Sequence, residues 1–277
     1  MYQRLCVIGG DLRARWLAKL LSAKGYAVRT LGVEPEDEQT ADVGNADALL
    51  FAYPHSARDG VIPTLNGLTV HARDVLALAK GGALVLHGAG LKDAPANGKR
   101  LRAIAYADDE AFVQANAEIS AEAAVYEAMG RTESALHGMT VLVTGYGRFG
   151  RALAKRLHAL GAKVWVGARR ADSLRLACSD GMRSLCYRDL SIVAGSVELL
   201  LNTVPAHVLG AEALAALPRA TPILELASAP YLLDAEQAKE RAPFYEILPA
   251  LPARYAPKAA ANALLQTIEK TLAEVTT

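Results

Sequence analysis

The chain has 277 residues, 52% of them hydrophobic, and a formal net charge of +1. That composition excludes disorder and suits two medium domains better than one core. The near-neutral charge, with no Lys/Arg run, argues against nucleic acid as a partner. Cys6, Cys178 and Cys186 form no C-x-x-C pair and sit near no histidine cluster, so no metal site is expected. An odd cysteine count fits a reducing cytoplasm. No apolar run reaches the ~18 residues of a membrane span. The chain opens in a strand-like segment rather than a basic, apolar leader, and a cytoplasmic location is expected.

In chain order, LCVI (5–8) reads as a buried strand. GGD makes a turn, and LRARWLAKLLSAKG reads as a helix ending at Gly25. Further strands are expected at 27–31, 46–54, 83–88 and 101–108. Continuous apolar strands with helices between them argue for a parallel sheet covered on both faces. DEAFVQANAEISAEAAVYEAMGR (109–131) holds a helix expected to start near Ser120. A second run follows: TVLVTG, RFGRALAKRLHALG, AKVWVGARR, ELLLNTVP, TPILELAS and FYEILPALP. Beyond Pro257, residues Leu264, Leu265, Ile268, Leu272 and Val275 fall largely on one helical face.

The reading is therefore α/β: two Rossmann-like parallel-sheet domains with a cleft between them. Residues 1–115 form a flavodoxin/Rossmann-like substrate domain and 116–135 a bridging helix. Residues 136–255 form an NAD(P)-binding Rossmann domain, and 256–277 a helix returning to the first domain.

The second run opens with Gly145-Tyr146-Gly147-Arg148-Phe149-Gly150, a G-x-G-x-x-G between strand and helix. Gly145 suits the tight turn, Gly147 lets backbone approach a diphosphate, and Gly150 lets helix and strand pack closely. The helix start offers free amides to phosphate oxygens. The next strand ends in VGARR, where NAD sites usually carry an acid. Arg169 and Arg170 there favour NADP(H) over NAD(H). In the first domain, Asp11 follows adjacent Gly9 and Gly10, reads either as a helix cap or as the edge of a substrate cleft, and would repel a diphosphate.

Strand ends should face ligand. Asn202, Thr203 and Pro205 follow one strand and Ser228 another, while Glu225 is too early for its strand tip. His87, at a strand end, is the candidate proton acceptor. Tyr53 and His55 are similarly placed but no better supported. Asn116, Ser120 and Glu122 lie around the bridging-helix start, and Arg254 and Lys258 are candidates for binding a substrate carboxylate.

The chain resembles the family of dipicolinate synthase A-subunits. VIGGDLRARWLAKLLSAKG, LVLHGAG, the Asn116–Glu122 region, VLVTGYGRFGRALAKRLHALGAKVWVGAR, LLLNTVP, ILELAS and LPARYAPKAAANAL carry the resemblance in order. The resemblance implies a first domain like the substrate half of 2-hydroxyacid or alanine dehydrogenases. It implies oxidation of dihydrodipicolinate, a small dicarboxylate, to dipicolinate with NADP or NAD accepting hydride. It also implies the flavoprotein-like B-subunit of dipicolinate synthase as partner, and a mother-cell cytoplasmic setting during sporulation. Self-association as a homo-oligomer is expected as well. Ala123, at a glycine-like position of the family, departs from the pattern. Two other readings stay open: an NADP-dependent dehydrogenase of another hydroxy or amino acid, and a non-catalytic protein that senses dinucleotide.

Overall fold

The computed structural model describes residues 2–37, 43–51, 60–88 and 101–276. Tyr53 and His55 lie outside the described residues. The chain divides into two compact units, Met1–Asn116 with Pro252–Thr277, and Ala117–Leu251.

The first unit begins with β1 (Arg4–Ile8), α1 (Leu12–Ala23), β2 (Ala27–Leu31) and β3 (Ala48–Phe51). A short antiparallel pair follows, β4 (Val61–Ile62) with β5 (Val70–His71). Then come α2 (Ala72–Leu78), β6 (Leu84–His87) and β7 (Arg102–Ala105). The five-stranded sheet runs β2-β1-β3-β6-β7, with every pairing parallel. Side chains alternate across β1, as a pleated strand requires. Leu5 and Val7 enter a core shared with Leu17 and Leu21 of α1, whereas Cys6 and Ile8 enter one shared with Val75 and Leu76 of α2. Burial on both faces explains why LCVI is continuously apolar.

The next helix, α3 (Glu110–Gly130), starts well before Ser120. Asp109 sets its start by accepting from the Phe112 N–H at 2.9 Å, an N-cap that satisfies one of the helix's orphan amides. Phe112 is then buried edge-on to Tyr106, with ring centroids 5.7 Å apart. The Phe112 amide and the Lys270 ammonium hold the Asp109 carboxyl below its ordinary pKa.

The second unit continues with β8 (Thr140–Thr144), α4 (Arg148–Ala159), β9 (Lys163–Ala168), α5 (Ala171–Ser179) and β10 (Arg183–Cys186). It is completed by α6 (Ser191–Ala194), β11 (Leu199–Asn202), α7 (Ala211–Ala216), β12 (Ile223–Glu225), α8 (Ala235–Arg241) and β13 (Tyr245–Ile247). Its six parallel strands lie in the order β10-β9-β8-β11-β12-β13. The strand order reverses between β8 and β11, and ligands of open α/β sheets bind beyond the strand C-termini at such a switch point.

The chain ends with α9 (Leu251–Tyr255) and α10 (Pro257–Thr276). Ala261, Leu264, Leu265, Ile268 and Leu272 of α10 join Leu17, Ala18 and Leu21 of α1 in the first unit's core. The apolar stripe of the C-terminal segment thus completes the sheet on which the chain began. Among the described residues, no helix is long and apolar enough to cross a membrane. Leu264 is 1% exposed, so Leu264→Ala should cost about 2–5 kcal/mol of stability, measured by urea unfolding. A loss below about 1 kcal/mol would contradict this packing.

Candidate functional site

The glycine run lies at the switch point of the second unit, between β8 and α4. Gly145 has φ +97°, and a Cβ there would stand 2.4 Å from Val204 Cγ2 and 2.5 Å from Thr203 Oγ1. A Cβ at Gly150 would stand 2.4 Å from the Gly145 carbonyl oxygen. Both positions are therefore sterically closed to side chains. Gly147 is the opposite: a Cβ there would meet nothing within 4 Å. It occupies the N-cap of α4 and offers no side chain to the leading amides. An uncapped helix start beside open space is the geometry an anionic group needs.

Thr203 forms one wall of this turn. Its amide donates to the Thr144 carbonyl at 3.0 Å and its hydroxyl to the same oxygen at 2.7 Å. This double contact fixes the hydroxyl against Gly145 and Gly150. Pro205 and Arg148 are exposed, and Phe149 packs partly buried against the core.

Tyr146 turns away from the open space. Its hydroxyl donates to Asp180 Oδ2 at 2.9 Å, and Arg151 Nε donates to the same oxygen at 2.7 Å. Burial, then the Asp180 carboxylate, push the Tyr146 phenol well above its ordinary pKa. The Arg151 guanidinium holds the Asp180 carboxyl below its ordinary value. Tyr146 thus serves the turn as an anchor.

Below the strand tips lies a buried polar network that the sequence reading missed. Thr144 Oγ1 donates to Asn202 Oδ1 at 2.6 Å, and the Val204 N–H donates to the same oxygen at 3.1 Å. Asn202 Nδ2 donates to the Val204 carbonyl at 2.8 Å and to Glu225 Oε1 at 2.7 Å. Glu225 also accepts from the amides of Ala227 at 3.1 Å and Leu232 at 2.6 Å, and from the Tyr245 hydroxyl at 3.4 Å. Asn202 and Glu225 are each 0% exposed. The expected ligand contact by Asn202 is thereby corrected: its amide is consumed in joining two strand ends. The signal available in the sequence is the polar residue closing each of three apolar strands, Thr144, Asn202 and Glu225.

The remaining candidates separate. Ser228 is exposed beyond β12. Asn116 and Ser120 lie one turn apart on α3, half-buried and buried. Glu122 is exposed and forms an ion pair with Arg156 at 3.5 Å. His87, the candidate proton acceptor, ends β6 at 1% exposure. Arg254 is exposed on α9, its guanidinium 5.4 Å from the Tyr255 ring centre. The Lys258 ammonium lies 5.3 Å from the Trp16 ring centre, a cation–π contact within the first unit. Asp11 caps α1 through the Arg13 amide at 3.0 Å and binds the Arg13 side chain, while the Gly10 amide donates to the Pro63 carbonyl at 2.6 Å. The N-terminal glycine pair is thus a structural turn already supplied with an anion. Among the described residues, no group of three or more His, Cys, Asp or Glu is arranged to hold a metal.

A family model described as the NAD binding domain of D-isomer specific 2-hydroxyacid dehydrogenase matches residues 109–232. The dipicolinate synthase A-subunit of Bacillus subtilis (strain 168) is 26% identical over 287 residues, covering 98% of this chain and 96% of that protein. The crystal structure of the dipicolinate synthase A-subunit from Bacillus halodurans superposes with a TM-score of 0.86 at 27% identity, over 98% of both chains. That of its Bacillus subtilis counterpart gives 0.84 at 25% identity, over 100% of this chain and 97% of the other. The match places the likeness to an NAD-binding dehydrogenase domain on residues 109–232, while the likeness to the dipicolinate synthase A-subunits runs over nearly the whole chain.

The matched domain overturns the expected preference for NADP(H) over NAD(H). The arginine pair gives that preference no structural support. Arg169 and Arg170 are both exposed, and Arg170 is the N-cap of α5. Two solvated guanidiniums past a strand end do not by themselves form a bidentate phosphate clamp.

Gly150→Ala should weaken NAD binding at least about tenfold by pushing α4 off the turn, read by calorimetric titration. Unchanged affinity would contradict the close approach. Asp180 has a depressed pKa, so its contribution is complete above the ordinary carboxylate value and is lost as pH falls through the lowered one. Asp180→Asn should accordingly lower Tm at neutral pH, with the gap to wild type closing in acid. A gap that persists in acid would contradict the ionic role.

Proposed function

We propose that this chain, homologous to the dipicolinate synthase A-subunits over 98% of its length, oxidises dihydrodipicolinate to dipicolinate with NAD as oxidant. The single observation that carries the cofactor half of this reading is the uncapped α4 N-terminus, beside the open space at Gly147, in a turn closed by Gly145 and Gly150.

When bound, the dinucleotide would supply the hydride acceptor. The substrate loses a hydride from a ring carbon and a proton, and its ring becomes aromatic. One dihydrodipicolinate and one NAD+ give dipicolinate, NADH and a proton. This chain's residues bind and orient. The leading amides of α4 would hold the diphosphate, and their partial positive charge is strongest at that helix start. Thr203 keeps the turn closed beneath it. Aromatisation favours the loss of the proton, so water suffices as acceptor and the buried His87 is not required.

A dicarboxylate substrate needs cationic or hydrogen-bonding partners. We assign Arg254 as a carboxylate partner because its side chain is exposed in the last turn of α9, where a planar guanidinium can meet a carboxylate with two parallel hydrogen bonds. Lys258 is exposed in the first turn of α10 beside Trp16 and is assigned the same class of role. Asn116, Ser120 and Ser228 are assigned as neutral hydrogen-bonding contacts. The relatives are described as A-subunits, which supports a second component, and we assign a flavoprotein-like B-subunit as partner. Self-association and a mother-cell cytoplasmic setting belong to the same proposal.

The test supplies freshly generated dihydrodipicolinate with NAD, follows nicotinamide reduction, and identifies the pyridine product, with and without the B-subunit. Product formation that depends on this chain is the expected result. Tight NAD binding with no product under either condition would overturn the reading. Arg254→Ala should raise KM for the substrate about tenfold or more with a smaller change in kcat, and an unchanged KM would remove Arg254 from the site.

A further inference from the structure

Glu225 is a carboxylate with no exposure, held at the C-terminal end of β12. Its donors are the Ala227 and Leu232 amides, the Asn202 side-chain amide and the Tyr245 hydroxyl, all neutral groups. Among the described residues, no Lys or Arg forms an ion pair with it. The orientation of Asn202 is fixed by its surroundings. Val204 N–H can only donate, so the atom facing it is Oδ1. The Val204 carbonyl can only accept, so the atom facing it is Nδ2. Nδ2 therefore donates to Glu225 Oε1. Both carboxylate oxygens are met by obligatory N–H donors, and only the longest contact, to Tyr245, could accept a proton from the acid. The network is built for the ionised form. Burial raises the Glu225 pKa, and the same four donors oppose that rise.

A buried carboxylate without a counter-cation is a costly feature for strand-joining alone, since a neutral amide can also join two strand ends. Its position gives it a further use. In an open sheet of this order, one three-strand half serves each nucleotide of a dinucleotide. The glycine turn follows β8, and β9 and β10 extend from it to one side. β11, β12 and β13 form the other half, at whose strand ends Asn202 and Glu225 lie. That second half would face the nicotinamide nucleotide.

We propose that Glu225 is a specificity-determining residue that sets the preference between oxidised and reduced cofactor. It does so through a fixed negative charge behind the nicotinamide half of the site. The inference rests on the NAD-binding reading above. The nicotinamide ring is cationic in NAD+ and neutral in NADH. A nearby carboxylate screened little by solvent attracts the first and leaves the second unaffected. Glu225 touches neither form directly; it acts through the field it creates across the Asn202–Val204 segment. For an enzyme working in the oxidative direction, this favours loading of the oxidised form and release of the reduced one.

The test is equilibrium binding of NAD+ and NADH to the full-length wild type, to Glu225→Gln and to Glu225→Asp. Wild type should bind NAD+ at least as tightly as NADH. Glu225→Gln should shift the ratio of the two Kd values towards NADH by about three- to tenfold. Glu225→Asp keeps the charge, so its ratio should stay near wild type even if both affinities fall. A purely structural role would weaken both ligands alike in Glu225→Gln, and an unmoved ratio overturns the proposal. If the variants fail to fold, the wild-type ratio still decides: NADH bound about tenfold more tightly than NAD+ overturns it. Binding of neither dinucleotide by wild type would instead defeat the NAD-binding reading itself.

Discussion

The close approach of backbone to backbone at Gly145 and Gly150 is the constraint on which the second unit depends. A Cβ at Gly150 would stand 2.4 Å from the Gly145 carbonyl oxygen, so α4 can meet β8 only if both side chains are absent. That contact leaves the first amides of α4 directed beyond the strand ends and without a capping side chain at Gly147. Thr203 closes the turn from β11 through its two hydrogen bonds to the Thr144 carbonyl. The turn is thus held from two strands at the place where the sheet order reverses.

Two polar clusters stiffen this arrangement from opposite sides. Tyr146 ties the loop to Asp180 at the end of α5, which Arg151 of α4 also binds. Thr144, Asn202 and Glu225 tie the tips of β8, β11 and β12 beneath it. In a low-dielectric interior each such hydrogen bond is costly to leave unmade, which makes the network a strong determinant of strand-end geometry. The loops that follow, 203–205 and 226–232, inherit their starting points from it.

Much of this is legible in the sequence. Apolar strands separated by amphipathic segments mark two parallel α/β units, and the stripe from Leu264 to Leu272 marks a helix bound to a core. The glycine spacing marks the turn because steric exclusion acts over a few neighbouring residues. Other features are hidden because their partners are distant in sequence. Asn202 looks ligand-facing until Glu225 and Thr144 come within reach of its amide. Lys258 looks like a bare cation until Trp16 is placed beneath it. Ser120 resembles a cap for α3, whereas Asp109 and the burial of Phe112 begin the helix earlier. The arginines after β9 show the opposite limit: residue type alone suggests a phosphate clamp, but exposed side chains past a strand end do not form one.

The glycine turn as a dinucleotide site is tested most directly by a crystal structure of the protein grown with NAD. Diphosphate oxygens are expected within hydrogen-bond distance of the leading α4 amides over Gly147, with the nicotinamide nucleotide towards the ends of β11 and β12. A dinucleotide bound elsewhere, or an α4 N-terminus left empty at saturating NAD, would contradict that assignment.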